Sequence, residues 1–239
     1  MTGPGAGRQL LDLHNHTHRS YDAQNRPDDY ERAHAAGLID VVAITDHNTI
    51  AGALELREVA SFPVIVGQEI DTTDGELIGL FLDEPVPAGL PALETAERIR
   101  GRGGLVYLQH PFYRLVRNRM RGAVREELRG RGLIDVVEAA NGGPFTASAN
   151  ARALAWARAS GIPHAASSDA HEPLMIGTCL QSVPAGPVDA GSLPGLLRAA
   201  RTIDRRPPAA LALTVKAAGR TGAALRVLAG REALRRRRP

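Results

Sequence analysis

Nine side chains able to bind a divalent cation recur in short clusters along this chain. The first cluster is Asp12-Leu13-His14-Asn15-His16-Thr17, with Asp22 soon after. Then come Thr45-Asp46-His47-Asn48, Gly67-Gln68-Glu69, Asp74-Gly75-Glu76, Gln109-His110-Pro111 and Ser168-Asp169-Ala170-His171. The nine are His14, His16, Asp22, His47, Glu69, Glu76, His110, Asp169 and His171. Imidazole nitrogens and carboxylate oxygens without a thiolate suit Zn²⁺, Mn²⁺ or Fe²⁺ and argue against a structural thiolate zinc. Nine donors are too many for one tetrahedral ion. They fit two or three ions sharing a bridging carboxylate, which lowers the pKa of a shared water and clamps the attacking and leaving oxygens of a displacement. The chemistry implied is multi-metal hydrolysis.

For these groups to meet, the elements that carry them must end on one face. Apolar runs at Gln9–Leu13, Asp40–Ile44, Pro63–Val66, Leu77–Leu82, Leu105–Leu108, Ile134–Val137 and Pro163–Ala166 read as strands buried on both sides. Helical patterns at Asp28–Ala36, Ala51–Ala60, Leu90–Arg100, Arg121–Arg129 and Ala147–Ala159 separate most of them. Such alternation predicts parallel strands with helical crossovers. About seven strands without a glycine-rich dinucleotide turn favour a closed or distorted barrel over a doubly wound sheet. Residues i and i+2 of a strand share a face, so His14 and His16 can grip one cation, and Asp169 and His171 repeat the spacing. His14, His47, Glu69, His110 and Asp169 all fall at or just past a predicted strand's C-terminal end, the rim where barrels build active sites. Pro184–Pro194 reads as a turn region, and Pro207-Pro208 marks the passage into a tail.

At 239 residues and 44% hydrophobic content the chain can bury one sizeable core, expected over residues 1–206. Residues 207–239 are expected to form a basic, helical tail. The net charge of +3 is uneven: residues 201–239 carry a balance of +9, which leaves −6 on the first 200. Bound cations would partly neutralise an acidic body, and the tail could touch nucleic acid or another anionic partner, or be a solvated helix. The lone Cys179 excludes an intramolecular disulfide and a multi-thiolate metal site. With no apolar segment of spanning length and no apolar signal core at the N-terminus, a cytoplasmic protein without a membrane is expected.

Asp-Leu-His-Asn-His-Thr, Thr-Asp-His-Asn, Gln-His-Pro and Ser-Asp-Ala-His resemble, in order and spacing, the four motifs of the PHP (polymerase and histidinol phosphatase) family, over about Leu10 to Thr178. The resemblance implies a distorted (β/α)7 barrel with a trinuclear site at its C-terminal rim. Carried over, His14, His16, Glu69 and Asp169 would hold the first metal, and Glu69 would bridge to a second that His110 helps to complete. Asp22, His47 and His171 would hold the third. Glu69, Asp169 and His171 would be central to catalysis, in which a hydroxide between the first two metals attacks phosphorus. One departure stands out, because Glu76 occupies a place where several members have a histidine for the second metal. As a ligand it would harden that site toward Mn²⁺ or Fe²⁺; the alternative is a solvated hairpin glutamate.

After His110 the basic loop Phe112–Arg121 suggests phosphate contacts, with Arg114 and Arg117 as candidates and Arg19 as a third. A solvated loop is the alternative, since Lys216 is the only lysine in an arginine-rich chain. Asp12 and Asp46 are candidates to orient ligand histidines, and Glu138 and Asn141 to touch substrate or a metal-bound water. His18, His34 and His164 are expected to be structural, and Cys179 to pack.

The expected activity is metal-dependent hydrolysis of a phosphomonoester or of a nucleotide or oligonucleotide phosphate. Hydrolysis of a carboxyl ester, amide or carbamate by the same hydroxide is the second reading, and a catalytically silent metal-binding module the third.

Overall fold

The computed structural model describes residues 7–115 and 118–206. Nine strands form one sheet in the order β7-β6-β5-β4-β3-β2-β1-β8-β9. In chain order they are β1 (Arg8–Asp12), β2 (Val41–Ile44), β3 (Val64–Thr72), β4 (Gly75–Leu80), β5 (Leu105–Leu108), β6 (Val136–Asn141), β7 (His164–Ser167), β8 (Cys179–Pro184) and β9 (Arg201–Asp204). The helices are α1 (Pro27–Ala35), α2 (Ala51–Val59), α3 (Ala92–Gly101), α4 (Gly122–Gly130), α5 (Ala147–Ser160) and α6 (Leu193–Arg198).

Strands β1, β2 and β3 pair in parallel, as do β5, β6 and β7. The expectation of parallel strands throughout fails at β4, which pairs antiparallel with both β3 and β5. The cause is local. Strand β3 runs on to Thr72 and turns back at Thr73-Asp74, with Thr72 opposite Gly75, so no crossover helix fits between them. Gly75 has φ of 129°, and a Cβ there would collide with the backbone of Met120. The backbone N–H of Glu76 donates to Asn118 O at 2.8 Å and that of Arg121 to Asp74 O at 2.9 Å, so the hairpin is clasped by the segment that follows His110.

Side chains alternate between two apolar layers. Along β2, Val41 and Ala43 face the barrel interior with Leu11, Ile65, Ile78, Tyr107, Val136 and Ala165. Val42 and Ile44 face outward beneath the helices, against residues such as Ala53, Leu56, Ala96, Ile99 and Ala157. This double burial is what a continuous β-branched run requires. Helix α5 ends where Gly161 takes a left-handed conformation, φ 68°, and returns the chain to β7.

Pro184–Pro194, read from sequence as a turn region, instead joins β8 to α6, and residues 179–204 add β8, α6 and β9. Strand β8 runs antiparallel to β1, and Leu193 and Leu197 of α6 join the interior layer. At the C-terminal rim the sheet closes on itself. Asn15 and Ala170 form a parallel bridge, Asp169 N–H donates to His14 O at 2.9 Å and His16 N–H to Ala170 O at 3.1 Å. The fold is a distorted, nearly closed α/β barrel. Among the described residues no helix is long and apolar enough to cross a membrane. The expected helical tail lies outside the described residues.

Candidate metal centre

The rim closure between β1 and β7 brings the two i, i+2 pairs together. His14 and His16 are fully buried, with their Nε2 atoms 3.1 Å apart. Glu69 Oε2 lies 3.2 Å from His14 Nε2 and 3.3 Å from His16 Nε2, and Asp169 Oδ1 lies 3.4 Å from each. The backbone of Asp169 sits at φ 51°. Glu69 divides its oxygens: Oε1 faces away from this group, 3.3 Å from His110 Nε2, and accepts from Gln109 Nε2 at 2.9 Å. On the other side of His16, His171 Nε2 lies 3.1 Å from Asp22 Oδ2 and His47 Nε2 3.7 Å from the same atom. The His16 ring stacks on His47 and tilts against His171, at centroid separations of 4.9 and 4.4 Å.

Donors of one kind of centre thus fall into neighbouring groups: His14, His16 and Asp169; His14, Glu69 and His110; His16, Asp22, His47 and His171; and His47, Asp71 and Glu76. Within each group the donor atoms lie no more than 4.8 Å apart. The closest separations are those expected around a cation bound at about 2.0–2.2 Å by nitrogen and oxygen. Among the described residues, the buried Nδ1 atoms of His47 and His110 have no hydrogen-bond partner, a further sign that imidazoles here are arranged for something besides each other. The residues present fit divalent metals.

Charge is balanced within the cluster by protons. Burial opposes ionisation of Glu69, but His47, His14 and His110 outweigh it and hold the carboxyl well below its usual range. Asp169 is likewise held low, against burial, by His14, His16 and His171. Burial disfavours a charged His16, yet hydrogen bonds to Asp169 and Glu69 raise it to about 10. Glu76 is pushed up to about 8 by burial and by the nearby Glu69. A set of raised imidazoles among depressed carboxylates is one whose protons a divalent ion can replace.

Glu76 reaches the rim because β4 runs backwards: its first residues lie where the other barrel strands end. It is 7% exposed, which sets aside a solvated hairpin glutamate, and its Oε1 lies 4.0 Å from His47 Nδ1. Its cross-strand neighbour Asp71, absent from the sequence expectations, joins the same group. Asp71 accepts from Asn48 Nδ2 at 2.7 Å and Asn118 Nδ2 at 2.9 Å.

Two expectations, for Asp12 and Asp46, are corrected. Neither Asp12 nor Asp46 is hydrogen-bonded to a histidine ring: Asp12 accepts Ser168 N–H at 2.9 Å, and Asp46 accepts Thr17 N–H and Oγ1–H at 2.6 and 2.7 Å. Both carboxylates tie motif loops together. The histidine partner is Glu138, whose Oε1 lies 3.0 Å from His14 Nδ1 while Oε2 accepts His110 N–H at 2.7 Å. Asn141 donates to both Glu138 Oε2 and Asp169 Oδ2, each at 3.0 Å. Arg19 turns its Nε to Glu55 at 2.7 Å, toward α2. Arg114 is exposed on the loop after β5, and Arg117 lies outside the described residues. His34 packs on Phe62 and bonds Ile39 O at 2.9 Å, a structural role as expected. Cys179 is buried, and burial pushes its thiol up, so it packs as expected.

Comparison with known proteins places this geometry. The fold is similar to a two-domain protein of Bacteroides vulgatus whose name gives a predicted PHP-like metal-dependent phosphoesterase. The TM-score is 0.69 and the identity 17%, over 85% of this chain and 67% of that one. It is also similar to a lesion-specific endonuclease of Pyrococcus furiosus, with TM-score 0.58 and 17% identity over 82% of this chain and 57% of that one. Two uncharacterized proteins of Methanocaldococcus jannaschii are 51% identical over 77 residues and 38% identical over 132 residues. Those stretches are 31% and 55% of this chain and 45% and 52% of the relatives, so the chain spans about half the length of the curated relatives it matches. The PHP-associated family model matches residues 147–202 and the PHP domain model residues 12–142, more than half of the chain. With its four motifs converging on one rim, the chain belongs to the PHP family.

Proposed function

We propose that this chain is a metal-dependent phosphoesterase that hydrolyses a phosphomonoester or a nucleotide or oligonucleotide phosphate, using two or three Mn, Fe or Zn ions. The observation that carries the reading is the division of Glu69, one oxygen facing His14 and His16 and the other facing His110. A carboxylate so placed suits adjacent cations held in common. His14, His16, Glu69 and Asp169 would hold one; Glu69, His110 and Glu76 the next; Asp22, His47 and His171 the third. When bound, the ions supply an activated water and electrostatic stabilisation of phosphoryl oxygens.

The chain's own residues do the positioning. Glu138 fixes the His14 ring through Nδ1, which leaves Nε2 to face the donors. Asn141 holds Asp169, and the carbonyl of Asp169 takes His171 Nδ1 at 2.9 Å. Arg114 and Arg117 are proposed to bind substrate phosphate from the loop after β5, with Arg19 able to contribute on leaving Glu55. Residues 1–206 are proposed as the catalytic barrel, and the basic residues 207–239 as a tail that adds affinity for nucleic acid.

The testing experiment is phosphate release from a panel of nucleotides and phosphomonoesters in added Mn²⁺, on wild-type chain and on His16→Ala and Asp169→Ala. Metal-dependent release lost in both variants is expected. Turnover and metal content unchanged in either variant would remove the assignment. Carboxyl-ester turnover without phosphate release would favour the carbonyl reading.

A further inference from the structure

Six large apolar side chains are exposed among the described residues, and four of them lie at the same end of the sheet as the donor cluster. Tyr21 follows β1, Leu115 follows β5, Phe145 follows β6 and Leu174 follows β7, so all four stand on loops leaving the C-terminal ends of strands. The other two, Leu38 and Val59, lie just before β2 and β3, at the opposite end.

Two of the four are aromatic: Tyr21 touches a donor, and Phe145 stands on the loop that Asn141 roots. The Tyr21 ring stacks on His47 with centroids 4.8 Å apart and planes 26° apart, yet it is 74% exposed, so its outer face is open. Phe145 is 61% exposed and has φ of 59°, a left-handed backbone that a bulky side chain rarely takes. Its loop is locked in that shape. Thr146 Oγ1 donates to Asn141 O at 2.9 Å, Gly143 N–H to Asn141 Oδ1 at 2.8 Å and the Tyr113 hydroxyl to Pro144 O at 2.6 Å. The root of the loop, Asn141, is the residue that holds Asp169. Strain that turns an aromatic ring outward contributes nothing to the core, and such strain concentrates at ligand clamps. Arg114 and Arg119, exposed on the neighbouring loop, supply the complementary charge for an anion.

We infer that Tyr21 and Phe145 are stacking surfaces for a planar aromatic or heteroaromatic group joined to the substrate phosphate. The site thereby selects aryl or nucleotide-type phosphate esters over small aliphatic ones. The inference rests on the phosphoesterase reading and narrows its substrate class. Stacking of a base or aryl ring on an aromatic side chain tolerates many ring identities, so the selection is for planarity rather than for one base.

Calorimetric titration of phenylphosphonate and methylphosphonate, neither of which is hydrolysed, into the Mn²⁺-loaded full chain separates the two ideas. Phenylphosphonate is expected to bind about tenfold tighter or better. That ratio should fall severalfold in Phe145→Ser and in Tyr21→Leu, and persist in Tyr21→Phe. Metal content is measured on each variant, because Tyr21 adjoins Asp22 and His47; Phe145→Ser keeps the test decisive if Tyr21→Leu loses metal. Equal affinity for the two ligands in the wild-type chain, or a preference that survives Phe145→Ser, overturns the stacking role and leaves the phosphoesterase reading intact. Binding of neither ligand overturns both.

Discussion

Glu138 and His14 lie 124 residues apart in sequence and are joined by a 3.0 Å contact between Oε1 and Nδ1, both side chains fully enclosed. In a neutral His14 the contact keeps the ring proton on Nδ1, which donates to the carboxylate, and leaves the Nε2 lone pair free to ligate. Through its other oxygen the same carboxylate fixes the backbone of His110, which sits at φ 28°. One side chain thus sets the attitude of candidate ligands on either side of Glu69.

Glu138→Gln should therefore keep the fold and weaken metal binding by about 10–100-fold. Titration calorimetry with Mn²⁺ reads the affinity, and nitrogen-15 NMR of the histidine rings reads the His14 tautomer. Unchanged values of both would mean that the contact is incidental.

Metal uptake should release protons. In the metal-free chain His16 is raised to about 10 and Glu76 to about 8, so both carry a proton at pH 7, and ligation requires its loss. Apparent Mn²⁺ affinity is expected to climb as pH rises from 7 through 8 and toward 10, and to fall on acidification. The raised His16 also stabilises the metal-free fold, fully below the ordinary imidazole pKa of about 6.5 and progressively less as pH rises through about 10. Calorimetry in buffers of different ionisation enthalpy counts the protons, and a count of zero would contradict the charge balance described for the cluster.

Glu76→Ala should lower metal stoichiometry while leaving the hairpin in place, since the turn depends on Gly75 and on the clasp at Asn118 and Arg121. Elemental analysis and far-ultraviolet circular dichroism check the two halves of that expectation. Full stoichiometry in the variant would return Glu76 to a purely structural role.

Gly52→Ala probes how the first two motifs are held. A Cβ at Gly52 would overlap Asp46 Oδ2 and Thr17 Oγ1, the pair that bonds at 2.7 Å. A loss of about 1–3 kcal/mol is expected from overpacking, with Tm falling by about 2–4 °C for each kcal/mol. Thermal denaturation of the metal-free protein measures it.

What the sequence discloses and conceals follows from the range of each interaction. His14, His16, Asp169 and His171 were legible because each pair is a short local motif, although all four lie just beyond β1 and β7 and Asp169 and His171 fall in different donor groups. Six of the seven expected strands run parallel as alternation with helices requires. The reversal of β4 was signalled only by Asp74-Gly75, a two-residue turn cue between apolar runs. Strands β8 and β9 and helix α6 are short and flanked by prolines, so their pattern resembles that of a loop; they exist because β1 and the barrel interior offer them partners. Asp12 and Asp46 sit beside histidines in sequence, but their carboxylates are taken up by Ser168 N–H and by Thr17, partners supplied by other segments of the rim. Glu138, which does reach a histidine, is separated from it by most of the barrel.

The most direct test is elemental analysis of the 239-residue chain purified without chelator, with phosphate release assayed on the same sample before chelation, after chelation and after Mn²⁺ is restored. The expected result is two or three metals per chain, with release that disappears on chelation and returns with Mn²⁺. One metal or none, or full occupancy with no release from any phosphate ester, would contradict a multi-metal phosphoesterase.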